Sequence, residues 1–205
     1  MKDVGIIDYK SGNIESLKNS LNYLHFNPIL IKNKKDLINL SHVILPGVGA
    51  FKECINELKK NEALEDILNL VTNKKISILG ICVGMQMLFE SSSEFEDTEG
   101  LKILKGKITR IKSTLNYKIP HVGWNNIIFT KSFGSFNASD EEDFYFDHSY
   151  AFKDLESEDI LTTSNHSEKF VAAVKNQNIV GVQFHPEKSQ KSGLKFLQSF
   201  LELKC

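Results

Sequence analysis

Short apolar runs alternate with helical spacings through the first half of the chain. Residues 4–7 read as a strand, after which Ile14, Leu17, Leu21 and Leu24 recur at the spacing of one helix face. Residues 28–31 and 43–45 read as two more strands, the second running into Pro46-Gly47-Val48-Gly49. Phe51, Cys54, Ile55 and Leu58 mark one helix and Leu64, Ile67, Leu68 and Val71 another, before a strand at 76–81. Such alternation predicts an α/β fold: right-handed crossovers and an open, mostly parallel sheet with helices on both faces. The second half changes character. Residues 106–111, 127–130, 144–146, 160–164, 170–174 and 179–184 read as strands with little helix between them, so antiparallel additions to the same sheet are expected. A last helix is expected over 192–203, with Leu194, Leu197 and Leu201 on one face. Residues 91–100 and 132–143 read as polar loops, the latter closing in a solvated charge run, Asp140-Glu141-Glu142-Asp143. With no repeat or linker in view, residues 1–205 are expected to form one domain.

Composition narrows the class. The 205 residues are 41% hydrophobic with a formal net charge of -1, which favours a globular core and argues against nucleic acid or an acidic membrane surface as partner. The apolar run near Met1 is too short for a leader peptide or a membrane span. The three cysteines, Cys54, Cys82 and Cys205, lie far apart without a C-x-x-C pair, which suits a reducing cytoplasm. The six histidines show no metal-ligand spacing, so no metal and no cofactor is expected.

The chemistry concentrates where the strand at 76–81 meets Gly80-Ile81-Cys82-Val83-Gly84. An apolar strand, a nucleophilic side chain between small residues and a following helical pattern make a nucleophile elbow, with sulfur in place of a serine oxygen. A thiol at a helix N-terminus meets backbone N–H groups that favour its thiolate. A core cysteine in a tight turn would look the same on the elbow alone. The base that a cysteine nucleophile needs is offered by His185, at the end of the strand at 179–184, and Glu187 two residues on can orient the ring. Cys82, His185 and Glu187 would then carry acyl transfer through a thioester. The N–H of Val83 is one natural oxyanion donor, and the backbone at Val48 and Gly49 a second.

Gly80-Ile81-Cys82-Val83-Gly84-Met85-Gln86 together with His185-Pro186-Glu187 resembles the class I (triad) glutamine amidotransferases, a flavodoxin-like fold, over essentially the whole chain. Pro120-His121-Val122-Gly123-Trp124-Asn125, His148-Ser149-Tyr150 and His185-Pro186-Glu187-Lys188-Ser189 narrow the likeness to glutaminase subunits of imidazole glycerol phosphate synthase. The resemblance implies one amidotransferase domain in which Cys82 attacks the side-chain amide of glutamine. It also implies that Gln86, Glu94, Ser149 and Tyr150 hold glutamine. Asn13, His121, Trp124 and Lys188 would face a partner, a separate (β/α)8-barrel cyclase in a heterodimer. The cyclase would join the released ammonia to a phosphoribulosyl-formimino aminoimidazole carboxamide ribonucleotide on the histidine pathway. Lys10 and Asp147 depart from the small residues usual at those positions. They leave open a paralogous synthase that amidates a cell-surface sugar. A stand-alone cysteine amide hydrolase and a non-catalytic scaffold are the other readings to be separated.

Overall fold

The computed structural model describes residues 1–10 and 12–203, so Ser11 and Cys205 lie outside the described residues. The first half holds β1 (Lys2–Ile7), α1 (Ile14–Tyr23), β2 (Phe26–Ile31), β3 (His42–Leu45), α2 (Phe51–Leu58), α3 (Leu64–Thr72), β4 (Ser77–Ile81) and α4 (Val83–Leu88). Then follow β5 (Ser91–Ser92), β6 (Thr98–Glu99), β7 (Lys107–Arg110), β8 (His121–Phe129), β9 (Glu141–His148), β10 (Tyr150–Phe152), β11 (Ile160–Asn165), β12 (Lys169–Asn176), β13 (Ile179–Val182) and α5 (Gln190–Leu201).

Among the described residues a nine-stranded sheet has the order β2-β1-β3-β4-β13-β12-β11-β8-β9. The strands from β2 to β13 pair in parallel, and each later neighbour is antiparallel. All residues of β3 and β4 are buried, as expected of central parallel strands covered on both faces. Pro28 lies in β2, the outer strand, where a missing N–H costs no interior ladder bond. The helix faces expected from the apolar spacing are the buried ones: Leu17 and Leu21 on α1, and Phe51, Cys54, Ile55 and Leu58 on α2.

Four expectations need correction, the first being that residues 91–100 are not all loop, because Ser91–Ser92 and Thr98–Glu99 pair as β5 and β6. The strand near 106–111 does not join the main sheet. As β7 it pairs with β10 and β5 in a separate four-stranded sheet, since a strand pattern does not specify its partner. The charge run at 140–143 is not all loop, because Glu141, Glu142 and Asp143 open β9. That strand is the sheet's edge, where charged residues blunt an exposed ladder, and Glu142 accepts bonds from Ser192 and Lys195 of α5. Finally, the strand expected at 127–130 is longer and begins earlier: it is β8, which opens at His121 inside the Pro-His-x-Gly-Trp-Asn string.

The turn from β4 into α4 lies backbone against backbone on the loop after β3. A Cβ added at Gly84 would stand 2.0 Å from the Leu45 carbonyl oxygen, and one at Gly47 would stand 2.3 Å from the Gly84 nitrogen. Neither neighbour is a side chain that can swing away. Gly84→Ala is therefore expected to lower stability by about 2–4 kcal/mol, read from urea denaturation, through displacement of this contact.

Candidate active site

The last residue of β4 hands the chain to Cys82, whose backbone sits at φ 51° and ψ −112°. A residue with a side chain reaches that region only under constraint. The constraint is local: the Cys82 N–H donates to the Val182 carbonyl of β13 at 2.7 Å, and its carbonyl accepts the Gln86 N–H at 3.1 Å. The side chain is consequently presented at the start of α4, as the elbow predicts.

His185 arrives from β13, the parallel neighbour of β4. Its N–H donates to the Tyr145 carbonyl at 2.9 Å, and its carbonyl accepts the Ser189 hydroxyl at 2.6 Å. The same Ser189 oxygen accepts the Tyr145 N–H at 2.9 Å, so Tyr145 and Ser189 clamp the backbone of the imidazole. Glu187 lies in the 3-10 turn Pro186–Lys188, and its Oε1 is 2.9 Å from His185 Nδ1. Nδ1 thereby carries a proton for the carboxylate, and Nε2 is left for Cys82. Burial acts most strongly on His185 and disfavours its charged form. The opposing charge and hydrogen bond of Cys82, with the hydrogen bond and charge of Glu187, outweigh it and raise the ring to about 10. Glu187 Oε2 is buried without a hydrogen-bond partner among the described residues.

Cys82 and His185 open on a cavity of about 240 Å³, also lined by Val48, Gly49, Val83, Gln86, Glu94, Asp147, Ser149 and Tyr150. The structure thus gathers the expected nucleophile, base, oxyanion segment and glutamine-side residues around one space. Glu94 comes from the loop after β5, and its Oε2 accepts the Phe51 N–H at the start of α2 at 2.6 Å. Gly49 has φ +122°, a conformation that suits glycine, beside the thiol of Cys54, which reaches the Val48 carbonyl at 3.6 Å.

Of the residues expected to face a partner, Trp124 and Lys188 share one cluster. Trp124 is 49% exposed and meets the Tyr145 ring edge-on, and Lys188 Nζ lies 5.5 Å over that same ring. Asn13, at the start of α1, instead lines a small hollow together with Gly47, His185 and Glu187. His121 requires a correction. Strand alternation sends Val122 and Trp124 outward and the His121 ring inward, where it is 4% exposed, bonded to His148 and stacked on Phe146 and His166. Period-two alternation along 121–125 could have shown that His121 and Trp124 take opposite faces, though not which of them is buried. Of the two departures, Asp147 lines the cavity, with its carbonyl 3.7 Å from Cys82 Sγ. Lys10 shares a hollow of mixed charge with Asp8, Lys32, Glu57 and Lys60.

The family model of class-I glutamine amidotransferase matches residues 5–203. Imidazole glycerol phosphate synthase subunit HisH of Pelagibacter ubique is 40% identical over 208 residues, covering 98% of this chain and 100% of that one. Subunit HisH 2 of Vibrio vulnificus is 39% identical, covering 96% and 92%. The chain belongs to the class-I glutamine amidotransferases, in the family of imidazole glycerol phosphate synthase subunit HisH. The fold agrees: a crystal structure of a glutamine amidotransferase superposes with a TM-score of 0.75 at 18% identity, covering 97% of each chain. PurLQS from Thermotoga maritima gives 0.76 at 19% identity, covering 98% of each. The resemblance drawn from the motifs is thus borne out, and the chain is an amidotransferase enzyme. Among the described residues no helix is long and apolar enough to cross a membrane.

In this amidotransferase Gln183 and Tyr145 received no role from motif reading, and Ser189 and His148 were quoted within motif strings without one. His148 is buried, and burial is the main cause that holds it down to about 3. Burial, then the charge of His166, holds His121 down to about 4. Both rings stay neutral in the folded chain while unfolded histidines take up protons below 6.5. Their contribution to stability is complete above that pH and is lost as pH falls toward the folded values. Between pH 6 and 4.5 each ring should steepen acid destabilisation by about 1.4 kcal/mol per pH unit. His121→Gln is expected to remove one such increment from the slope, measured by denaturant titration across that range.

Proposed function

We propose that the chain is the glutaminase subunit of imidazole glycerol phosphate synthase, with Cys82, His185 and Glu187 as its triad. The observation that carries the reading is the constrained thiol at Cys82 facing an imidazole already oriented by a buried carboxylate at 2.9 Å. Sγ attacks Cδ of glutamine, and the developing oxyanion is met by the Val83 N–H and by the backbone at Val48 and Gly49. His185 delivers its proton to the amide nitrogen, the C–N bond breaks, and ammonia leaves a γ-glutamyl thioester. Water then adds to the thioester, giving its proton to His185. Cys82 departs as thiolate, and glutamate is released. Gln86, Glu94, Ser149 and Tyr150 hold the substrate in the cavity they line.

Ammonia protonated by solvent is a poor nucleophile, so its release suits a subunit docked on a synthase. The partner in this reading is a separate (β/α)8-barrel cyclase in the cytoplasm. Asn13, Trp124 and Lys188 contribute to the docking side, and His121 supports it from within. Support comes from the subunit relatives and from the exposed cluster of Trp124, Tyr145 and Lys188.

The test is glutamate release from glutamine by the chain alone and with the cyclase and its ribonucleotide. Turnover should be weak alone and strongly stimulated in the complex. Cys82→Ala should lower it by about 10³-fold or more while the complex still forms. Unchanged turnover in that variant would end the mechanism. A chain that ignores the cyclase and binds a sugar-amidating synthase would end the pathway assignment.

A further inference from the structure

Gln183 has no part in the triad, yet its fully buried side chain touches the nucleophile. Its Nε2 lies 3.6 Å from Cys82 Sγ, and its Oε1 accepts a bond from Gln86 Nε2 at 3.0 Å. An amide can turn either end toward a sulfur, and the two ends act oppositely. The N–H stabilises a thiolate, whereas the oxygen repels it. Which end faces Sγ depends on what holds the other end.

A backbone carbonyl decides it. Gln86 Nε2 also lies 2.9 Å from the Tyr150 carbonyl, which can only accept. Gln86 must therefore direct its NH2 group there, and the same group must donate to Gln183 Oε1. Gln183 is left with its N–H toward sulfur. The Tyr150 carbonyl is held from its other side as well. His148 Nδ1 lies 2.9 Å away and must donate, so His148 Nε2 accepts from His121 Nδ1 at 2.9 Å. His121 Nε2 in turn accepts from Asn125 Nδ2 at 3.2 Å, and that NH2 group also donates to the Asn165 carbonyl at 2.9 Å. Two carbonyls thus set the polarity of every side chain from β8 to Cys82.

We infer that Gln183 is a further catalytic residue, the fixed N–H donor that holds Cys82 as thiolate before attack and again as it leaves the thioester. Gln86 orients Gln183 in addition to facing the cavity, and His148 and His121 are positioning residues behind it. The Asp147 carbonyl, 3.7 Å from Sγ on another side, can accept only from the neutral thiol. As thiolate the sulfur is met by the charged His185 ring and by the Gln183 N–H, whereas the Asp147 carbonyl serves the thiol alone. The inference rests on Cys82 being the nucleophile, and not on which synthase takes the ammonia.

The test uses the full chain and its Gln183→Met variant, which keeps length and burial but removes the donor. Iodoacetamide alkylation of Cys82 at pH 7.5, followed by mass spectrometry, should slow about tenfold, as expected for one lost charge-assisted hydrogen bond. Glutaminase kcat in the partner complex should fall by a similar factor while KM changes less than twofold. Alkylation at the native rate would overturn the inference, as would a loss confined to KM. A second measurement needs no substitution at Gln183. In the native chain the Gln183 side-chain amide proton resonances should shift when Cys82 is alkylated to a neutral thioether, and unmoved resonances would equally overturn the inference. If the native chain released no glutamate, the proposed function would fail, while alkylation rates and amide resonances would still judge Gln183.

Discussion

The backbone of Cys82 occupies φ 51° and ψ −112° because its neighbours leave it nowhere else to go. On one side β13 takes its N–H at 2.7 Å. On the other, the loop after β3 packs against Gly84 with no room for a single added carbon. The strain of that conformation, of order 1–3 kcal/mol, is sustained by a parallel sheet buried on both faces. The catalytic proposal depends on that constraint. A relaxed residue at 82 would withdraw the thiol from the cavity and move the start of α4, and with it the N–H of Val83.

A second dependence runs through the place where the two sheets meet. β9 ends at His148 in the main sheet and β10 begins at Tyr150 in the smaller one, so Ser149 is the bridge between them. The Tyr150 carbonyl at this junction receives both His148 and Gln86. A carbonyl has no proton to give, so it imposes a direction on everything bonded to it. Together with the Asn165 carbonyl it explains why a string of ambidextrous side chains, three amides and two histidines, can have one arrangement. The neutrality of the rings follows from the same packing: His121 is stacked between Phe146 and His166, and protonation would place charge where aromatic faces have excluded water.

The strands and helices of the first half were legible because central parallel strands and amphipathic helices each leave a clear periodic mark. The gathering of Cys82, His185 and Glu187 was legible because an elbow and a strand-end histidine with a nearby carboxylate are local patterns. What escaped was set by tertiary context. Tyr150-Ala151-Phe152 is too short a strand to show a period, and nothing in residues 107–110 says that they pair with it. Glu141 to Asp143 carry the composition of a loop and become strand because β8 supplies a partner along the whole edge. Gln183 sits in an apolar strand and belongs to no motif of its own, so only its contact with Cys82 reveals it. His121 is different, since the family match put it and Trp124 on one side while alternation already said that the two cannot share a face; which face is buried was set by tertiary packing.

Strand β9 joins these arguments, since it serves two functions at adjacent residues. Tyr145 presents its ring to Trp124 and Lys188 at the surface, while its carbonyl and N–H hold His185 and Ser189. Two residues on, the Asp147 carbonyl faces Cys82 Sγ. Both sets of contacts are made by one short stretch of β9 backbone. The histidine chain lies on the opposite face of that strand and resists its movement from behind. Cys82 and His185 are thus held between the exposed Trp124, Tyr145 and Lys188 cluster and a buried network whose polarity is already determined.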